Sequence, residues 1–521
     1  MRAVNFALAT LAIIAFVHSG ANAQQERALV DTQAKIREYT KQISSKGEFE
    51  TSSEFAAKVK RTDEKIAALL PRTFRLSCRI LPDTYNADNG VFSITAKSNF
   101  GSLSFSVKMD RDEAIQFNRT ANTLRGEMLI GVDQYGSTVP VACQFSFRGK
   151  NYRYENPAAR IAWVLQVESL QGTGAIWASF SSSEANQLYV ASKDSIHVVD
   201  LSSGRVVQSI RPHLGPLTAI AISTGDGLLA TASSNVVKVW DLHRMTQLKT
   251  FDAAYPLVDL TFGQMPNGQT STRILVGAGP NEIWYWPLDP TGALSQNLPH
   301  YFRMKREQVE QKIASMRRDS LHARSEMKQP WFAFSKAQFE SYFKSVSDTI
   351  ALYQSGVIAQ PDRITSIFFV PDSQQVLSIG YAGLLRFWNP ASALETNQIG
   401  LGVTNIVVAK DGPCLGYNTE YGYKVQLVDF RRRIMLAGVN GWYGFTLSSD
   451  GNLVATIIGN ASISLITIYD TKTGAPLYTI NLGQNVGLKS LVFSPDGLRL
   501  AGIDGSQNVR IWRIVYRKLD F

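Results

Sequence analysis

The rhythm of apolar and polar residues changes twice along this chain of 521 residues. Between residues 25 and 70 the apolar positions keep helical spacing. Leu29, Ile36, Tyr39 and Ile43 form one narrow stripe, and Phe55, Val59, Ile66 and Leu70 form a second. Thr51-Ser-Ser-Glu54 has capping-box spacing ahead of the second stripe, and Pro71 stops it. From Phe74 to about Tyr154 the period becomes two, in runs such as VFSITAKS and SLSFSVKM separated by Asn/Asp/Gly turns. Alternation of this kind predicts a small antiparallel β domain.

Beyond residue 160 the alternating runs repeat. The segments SIHVVDL, VVKVWDL, EIWYWPL, LLRFWNP, KVQLVDF, LITIYDT and VRIWRI align on Asp200, Asp241, Pro287, Asn389, Asp429, Asp470 and Arg513. Their spacing is 40 to 46 residues except for one gap of 102, between Pro287 and Asn389, which holds an insertion. Tight turns recur upstream at Asp226-Gly227, Asn267-Gly268, Asp411-Gly412, Asp450-Gly451 and Asp496-Gly497, where a hairpin needs positive φ. A single copy cannot bury both of its faces, so such copies stack and close.

These copies resemble the WD40 family. Trp240-Asp241 is the Trp-Asp ending, and Pro212-His213 with Leu217, Ile220 and Ile222 matches the Gly-His opening of that repeat. The resemblance covers about 165–515 and implies seven four-stranded blades arranged radially. Closure is expected where RIAWVLQVES (160–169) pairs with the last blade. Only one copy carries the His, and Asn235 stands near the family's usual turn Asp, so His213 reads as a structural hydrogen-bonding residue. The expected fold is mainly β: a seven-bladed WD40-like β-propeller preceded by a helical segment and a small antiparallel β domain. The boundaries are 24–72 for the helices, 73–158 for the small β domain and 159–521 for the propeller, with a helical insertion at about 300–360.

The N-terminus adds an address. Arg2, the apolar run Phe6 to Val17 and Ala21-Asn22-Ala23 have the three parts of a secretory signal peptide, expected at 1–23. No later segment approaches about 18 uninterrupted apolar residues, so no transmembrane span is expected in the mature chain. The stretch GEFETSSEFAAK (47–58) resembles a helix-start segment that recurs in bacterial exported proteins. The expected location is therefore the periplasm or, failing that, the extracellular space. In such a compartment Cys78 and Cys143, which bracket the small β domain, are candidates for a disulfide, with three unpaired buried thiols as the alternative.

The formal net charge of +10 reads first as a solubility feature of so long a chain. The insertion carries a local surplus, since residues 303–328 hold eight Lys/Arg against four Asp/Glu, followed by an aromatic stretch from Trp331 to Phe343. This arm either packs on the chain itself or makes peripheral contact with an acidic partner or an anionic envelope surface.

Candidate chemistry is sparse. Five histidines follow residue 23 (His197, His213, His243, His300 and His322), none with metal-ligand spacing to a second His or Cys. There is no CxxCH, P-loop, GxSxG or HExxH. Asp259 and Asp411 have no acid partner in the sequence and read as turn or surface residues. No cofactor, metal or nucleic acid is expected. Binding fits better. In a propeller the loops between blades share one face with the turns between second and third strands, and those positions collect Arg211, Tyr255, Tyr381, Tyr421, Trp442 and Tyr443. Exposed aromatics with an arginine are the composition of interface anchors. The sequence thus points to an exported, non-enzymatic scaffold that binds envelope proteins. Its rivals are an enzyme, hydrolase or oxidoreductase, with a site in the central channel, and a module that binds glycan or peptidoglycan.

Overall fold

The computed structural model describes residues 2–47, 50–120, 123–180, 186–223, 226–253, 256–267, 270–279, 283–288, 318, 364–370, 375–380, 383, 385–389, 394–399, 403–419, 423–432, 434–441, 444–459, 463–484 and 486–521. Helix α1 (Arg2–Gln42) starts well before residue 25 and runs without a break through the stretch expected as a leader. Helix α2 (Ser52–Leu69) opens with the reciprocal Thr51–Glu54 capping box that the spacing predicts. Leu29 and Ile36 from α1, Ile66 from α2 and Leu70 at its C-cap bury in one core with the first sheet, so the two apolar stripes pack on the chain's own small domain.

That domain is a six-stranded antiparallel sheet of β1 (Phe74–Asn86), β2 (Val91–Ser98), β3 (Gly101–Lys108), β4 (Arg125–Val132), β5 (Thr138–Phe147) and β6 (Lys150–Glu155), in the order β3-β2-β1-β4-β5-β6. Helix α3 (Arg111–Thr120) carries the crossover from β3 to β4. The sheet curls until its two edges meet: Phe105 of β3 stacks on Tyr154 of β6 with ring centroids 4.8 Å apart. Phe117 of α3 lies inside the curl, edge-on to Phe92 and Phe147 at 5.1 and 5.2 Å. Aromatic pairs of this kind add to plain area burial.

Cys78 on β1 and Cys143 on β5 face each other across β4, with sulfurs 3.8 Å apart. The disulfide expected between them is not formed in this structure; both are buried thiols. The strand order gives the reason. Strands that flank a third lie about 9.6 Å apart, and a disulfide holds its Cα atoms within about 7 Å.

Seven sheets follow. Blade 1 is Trp177–Phe180, Gln187–Ala191, Ile196–Asp200 and Arg205–Ile210; blade 2 is Ala219–Ser223, Leu228–Ser233, Val236–Asp241 and Thr246–Asp252. Blade 3 shows three strands among the described residues, Asp259–Asn267, Thr270–Ala278 and Ile283–Pro287. Blade 4 is Ile364–Val370, Gln375–Gly380, Leu385–Asn389 and Leu394–Ile399; blade 5 is Val403–Val408, Cys414–Thr419, Lys424–Asp429 and Ile434–Asn440. Blade 6 is Phe445–Leu447, Leu453–Gly459, Ile463–Asp470 and Pro476–Gln484. Blade 7 takes Leu488–Phe493, Arg499–Asp504 and Val509–Tyr516 from the C-terminal end and its outer strand, β7 (Ile161–Leu170), from the start of the ring. The early strand thus closes the ring as its sequence predicts.

The cores lie between blades. Leu229 with Tyr189 joins blades 1 and 2, Ala230 with Leu275 joins 2 and 3, and Val276 with Ile367 joins 3 and 4. Leu377 with Leu415, Val425 with Val454, Ile468 with Trp512, and Ile503 with Val190 complete the circuit from blade 4 back to blade 1. Trp240, Trp286 and Trp512 each bury in the core shared with the preceding blade, which is why an aromatic recurs just before the aligned positions Asp241, Pro287 and Arg513.

That Asp has its own reason. Asp241 accepts the N–H groups of His243 and Arg244 at 3.0 and 2.8 Å, and Asp429 and Asp470 do the same for residues two and three further on. Asp200 accepts from Ser202 Oγ and the Ser203 N–H, which hold its carboxyl below the usual range. The carboxylate closes the turn into the outer strand by replacing backbone acceptors. In blades 1, 2, 4, 5, 6 and 7 the outer strand is out of register by a bulge beside this point, which twists an otherwise open edge away from flat pairing.

Candidate docking face

Strand direction sorts the connections into two faces. One carries the first-to-second turns and the Asp-closed turns. The small domain joins on this side at blades 6 and 7: Arg160, between η-turn Pro157–Ala159 and β7, lies 3.6 Å from the Asp470 carboxylate of blade 6, and Arg517, just past the last strand of blade 7, donates to the Val132 carbonyl of β4 at 2.9 Å. The other face carries the interblade loops and the second-to-third turns, where the sequence places its docking residues.

Of those residues the structure describes Arg211; Tyr255, Tyr381, Tyr421, Trp442 and Tyr443 lie outside the described residues. Arg211 is exposed in the loop from blade 1 to blade 2, with Nη2 3.1 Å from Asp194 Oδ2 in the second-to-third turn of blade 1. The loop is held on both sides. His213 Nε2 lies 2.9 Å from Thr231 Oγ1, which also accepts from Trp240 Nε1 at 3.0 Å. Burial keeps the His213 imidazole below its ordinary pKa, so it sits in the loop as a neutral hydrogen-bonding group, as the sequence suggests. Lys238 Nζ donates to the Pro212 carbonyl at 2.9 Å, the Leu217 N–H to the Lys193 carbonyl at 2.8 Å and the Thr218 N–H to the Ala232 carbonyl at 2.9 Å.

Between these anchors Leu214 stands 98 % exposed. Ile176, at the start of blade 1, is 47 % exposed and its N–H donates to the Ala191 carbonyl, next to the turn that holds Lys193 and Asp194. Tyr423, in the second-to-third turn of blade 5, is 68 % exposed. The sequence reading missed these three apolar positions. Leu214 carried the only available signal: an apolar residue set between a buried Pro-His pair and Gly-Pro, where no alternation buries it.

The insertion at 300–360 lies outside the described residues except for Arg318. Among the described residues no cluster of three His, Cys, Asp or Glu side chains is placed to hold a metal ion. Asp259 and Asp411 are far apart in role. Asp259 accepts N–H groups from Leu260 and Ile367 at 2.9 and 2.8 Å and so ties blade 3 to blade 4, while Asp411 accepts from the Ser449 hydroxyl and links turns of blades 5 and 6.

Residues 204–241 match the family described as WD domain, G-beta repeat. That stretch runs from the Asp-closed turn of blade 1, through the anchored loop, to Trp240-Asp241. It is a WD40 repeat. The seven sheets among which it lies form a WD40-like propeller. A 54-residue stretch is 44 % identical to BEACH domain-containing protein B of Arabidopsis thaliana, covering 10 % of this chain; the chain spans 2 % of that relative's length. Among solved structures, the β-propeller domain of Cps50 (Swd1) from Myceliophteria thermophila superposes with a TM-score of 0.45 at 13 % identity, over 67 % of this chain and 99 % of that domain.

Proposed function

We propose that this protein is an exported, non-enzymatic scaffold of the bacterial periplasm or cell envelope, in which the WD40-like ring binds partner proteins through the face of its interblade loops. A WD40 propeller suggests protein partners. The observation that carries the reading here is the division of labour between the two faces. The chain's own small domain joins the ring on the Asp-turn side, while the opposite face presents Ile176, Leu214 and Tyr423 to solvent on loops that internal hydrogen bonds hold. Large apolar groups on rigid loops bind at low cost in ordering entropy. Export rests on the tripartite N-terminus; among the described residues no helix is long and apolar enough to cross a membrane.

The test is affinity capture of the mature protein from its native envelope, with N-terminal sequencing of the recovered chain. Cleavage after Ala23 and one or more stoichiometric protein partners are expected. Retention on polysaccharide with no protein partner would overturn the scaffold reading in favour of glycan binding.

A further inference from the structure

The top of blade 1 carries a feature that a generic docking face does not require. Leu214 is almost wholly exposed, yet the loop that bears it is fastened at His213, Pro212, Leu217 and Thr218. A leucine in water is ordinary on a mobile loop, where it can fold back. Here the loop cannot fold back, so Leu214 is a fixed convex knob. Its surroundings are not neutral. Lys193 and Arg211 are exposed on the same two connections, and the carboxylate between them is Asp194, which Arg211 contacts at 3.1 Å. Ile176 adds a second, partly exposed apolar side chain on the other side of the Lys193–Asp194 turn.

We propose that this knob seats in an apolar pocket of a folded protein partner whose rim carries carboxylates. The proposal rests on the scaffold reading above and names the chemistry of its partner. A convex leucine calls for a concave site on the other surface, because a flat surface would leave much of its area wet. The two cations set the sign of the rim: carboxylates pair with Lys193 and compete with Asp194 for Arg211. Charges at the rim act on encounter rate and on choice of partner more than on affinity, whereas the buried knob acts on dissociation.

The experiment places a photo-crosslinking benzoylphenylalanine at position 214 of the full chain, expressed in its own host, with the same probe at Tyr423 and Ser506 as references on the same face. Linked peptides are mapped by mass spectrometry. The expected product joins position 214 to an apolar segment of another protein that has Asp or Glu within a few residues. Purified partner should then bind Leu214→Asp at least about tenfold more weakly than the wild type. Lys193→Glu with Arg211→Glu should slow association and remove most of its salt dependence. Both variants alter exposed side chains, and unchanged thermal melting checks that they fold.

Products at 423 or 506 with none at 214 would overturn the knob and leave the scaffold reading standing. A product at 214 that lacks neighbouring acids, or binding indifferent to both variants, would also overturn it. So would a link to lipid, polysaccharide or a second copy of this chain. Absence of protein products at all three positions would remove the scaffold reading with it.

Discussion

Arg517 reaches out of the last propeller strand and donates from Nη2 to the carbonyl of Val132, at the end of β4, at 2.9 Å. Its Nη1 lies 3.3 Å from the Ala159 carbonyl, so one guanidinium fastens the ring to the small domain and to the linker between them. Burial pulls that guanidinium down to about 10, opposed in part by the nearby Asp133 and Tyr478. Gly131 makes the approach feasible, since a Cβ there would lie within 2.3 Å of Arg517 Nε. Gly131→Ala and Arg517→Met should each lower stability by about 2 kcal/mol or more, through overpacking and through orphaned carbonyls respectively. Differential scanning calorimetry checks this: the small domain and the ring should melt in two separated transitions in the variants and closer together in the wild type.

Glu113 should contribute to the acid stability of the small domain. Its buried carboxylate lies 2.8 Å from Lys150 Nζ and 2.6 Å from Tyr152 Oη, which together hold it below the usual carboxylate range. A depressed folded-state pKa contributes stability that is present above the unfolded-state value and is lost as pH falls through the folded one. The melting temperature should therefore drop on acidification below the ordinary Glu range, and Glu113→Gln should flatten that limb. Glu113→Ala should cost about 1–3 kcal/mol at neutral pH.

Asp259 has the opposite sign. Burial pushes its carboxyl up to about 7 at the seam between blades 3 and 4, even though two backbone N–H groups favour the ionised form. With the folded pKa above the unfolded one, its contribution is complete below the ordinary Asp range and is lost as pH rises through about 7. Between about pH 4 and 7 this group should make the wild type lose stability, with no further loss from it above that range, while Asp259→Asn should show a flatter profile by chemical denaturation. An unchanged slope in the variant would assign the pH dependence to another group.

Thr231 is the hub of the blade 2 network, because its hydroxyl serves both His213 and Trp240. Thr231→Val keeps the shape and removes the hydroxyl, leaving Trp240 Nε1 buried without its acceptor, while His213 Nε2 keeps only the Thr231 carbonyl at 3.2 Å. The expected loss is about 2 kcal/mol, together with faster amide exchange at Leu217 and Thr218, whose N–H groups anchor the loop.

The cysteines give a further outcome. Because β4 separates β1 from β5, alkylation of the protein unfolded without reductant should modify all three cysteines, Cys78, Cys143 and Cys414. All three thiols are buried, and contact with Cys78 together with burial holds Cys143 protonated, so Cys143 in the native protein should resist the same reagent. A mass two protons lower, with one thiol labelled, would show that the sheet shifts to admit the bond.

The sequence by itself determined the periodic parts of this protein. Alternation fixed the blades, Trp240-Asp241 and its relatives fixed where each third strand ends, and the capping box at Thr51 fixed where α2 begins. These signals are local: an Asp that accepts its own neighbours' N–H groups, or a Trp laid on the adjoining blade, needs only nearby residues, and repetition makes a weak signal legible. Tertiary structure decided the rest, because the rest depends on groups that the chain brings together from afar. Cys78 and Cys143 look like partners on a line, but the order β1-β4-β5 sets a strand between them. Arg517 and Val132 are separated by most of the chain, and nothing near either announces the other. Leu214 reads as one more apolar residue until the bonds at His213 and Leu217 hold it in water.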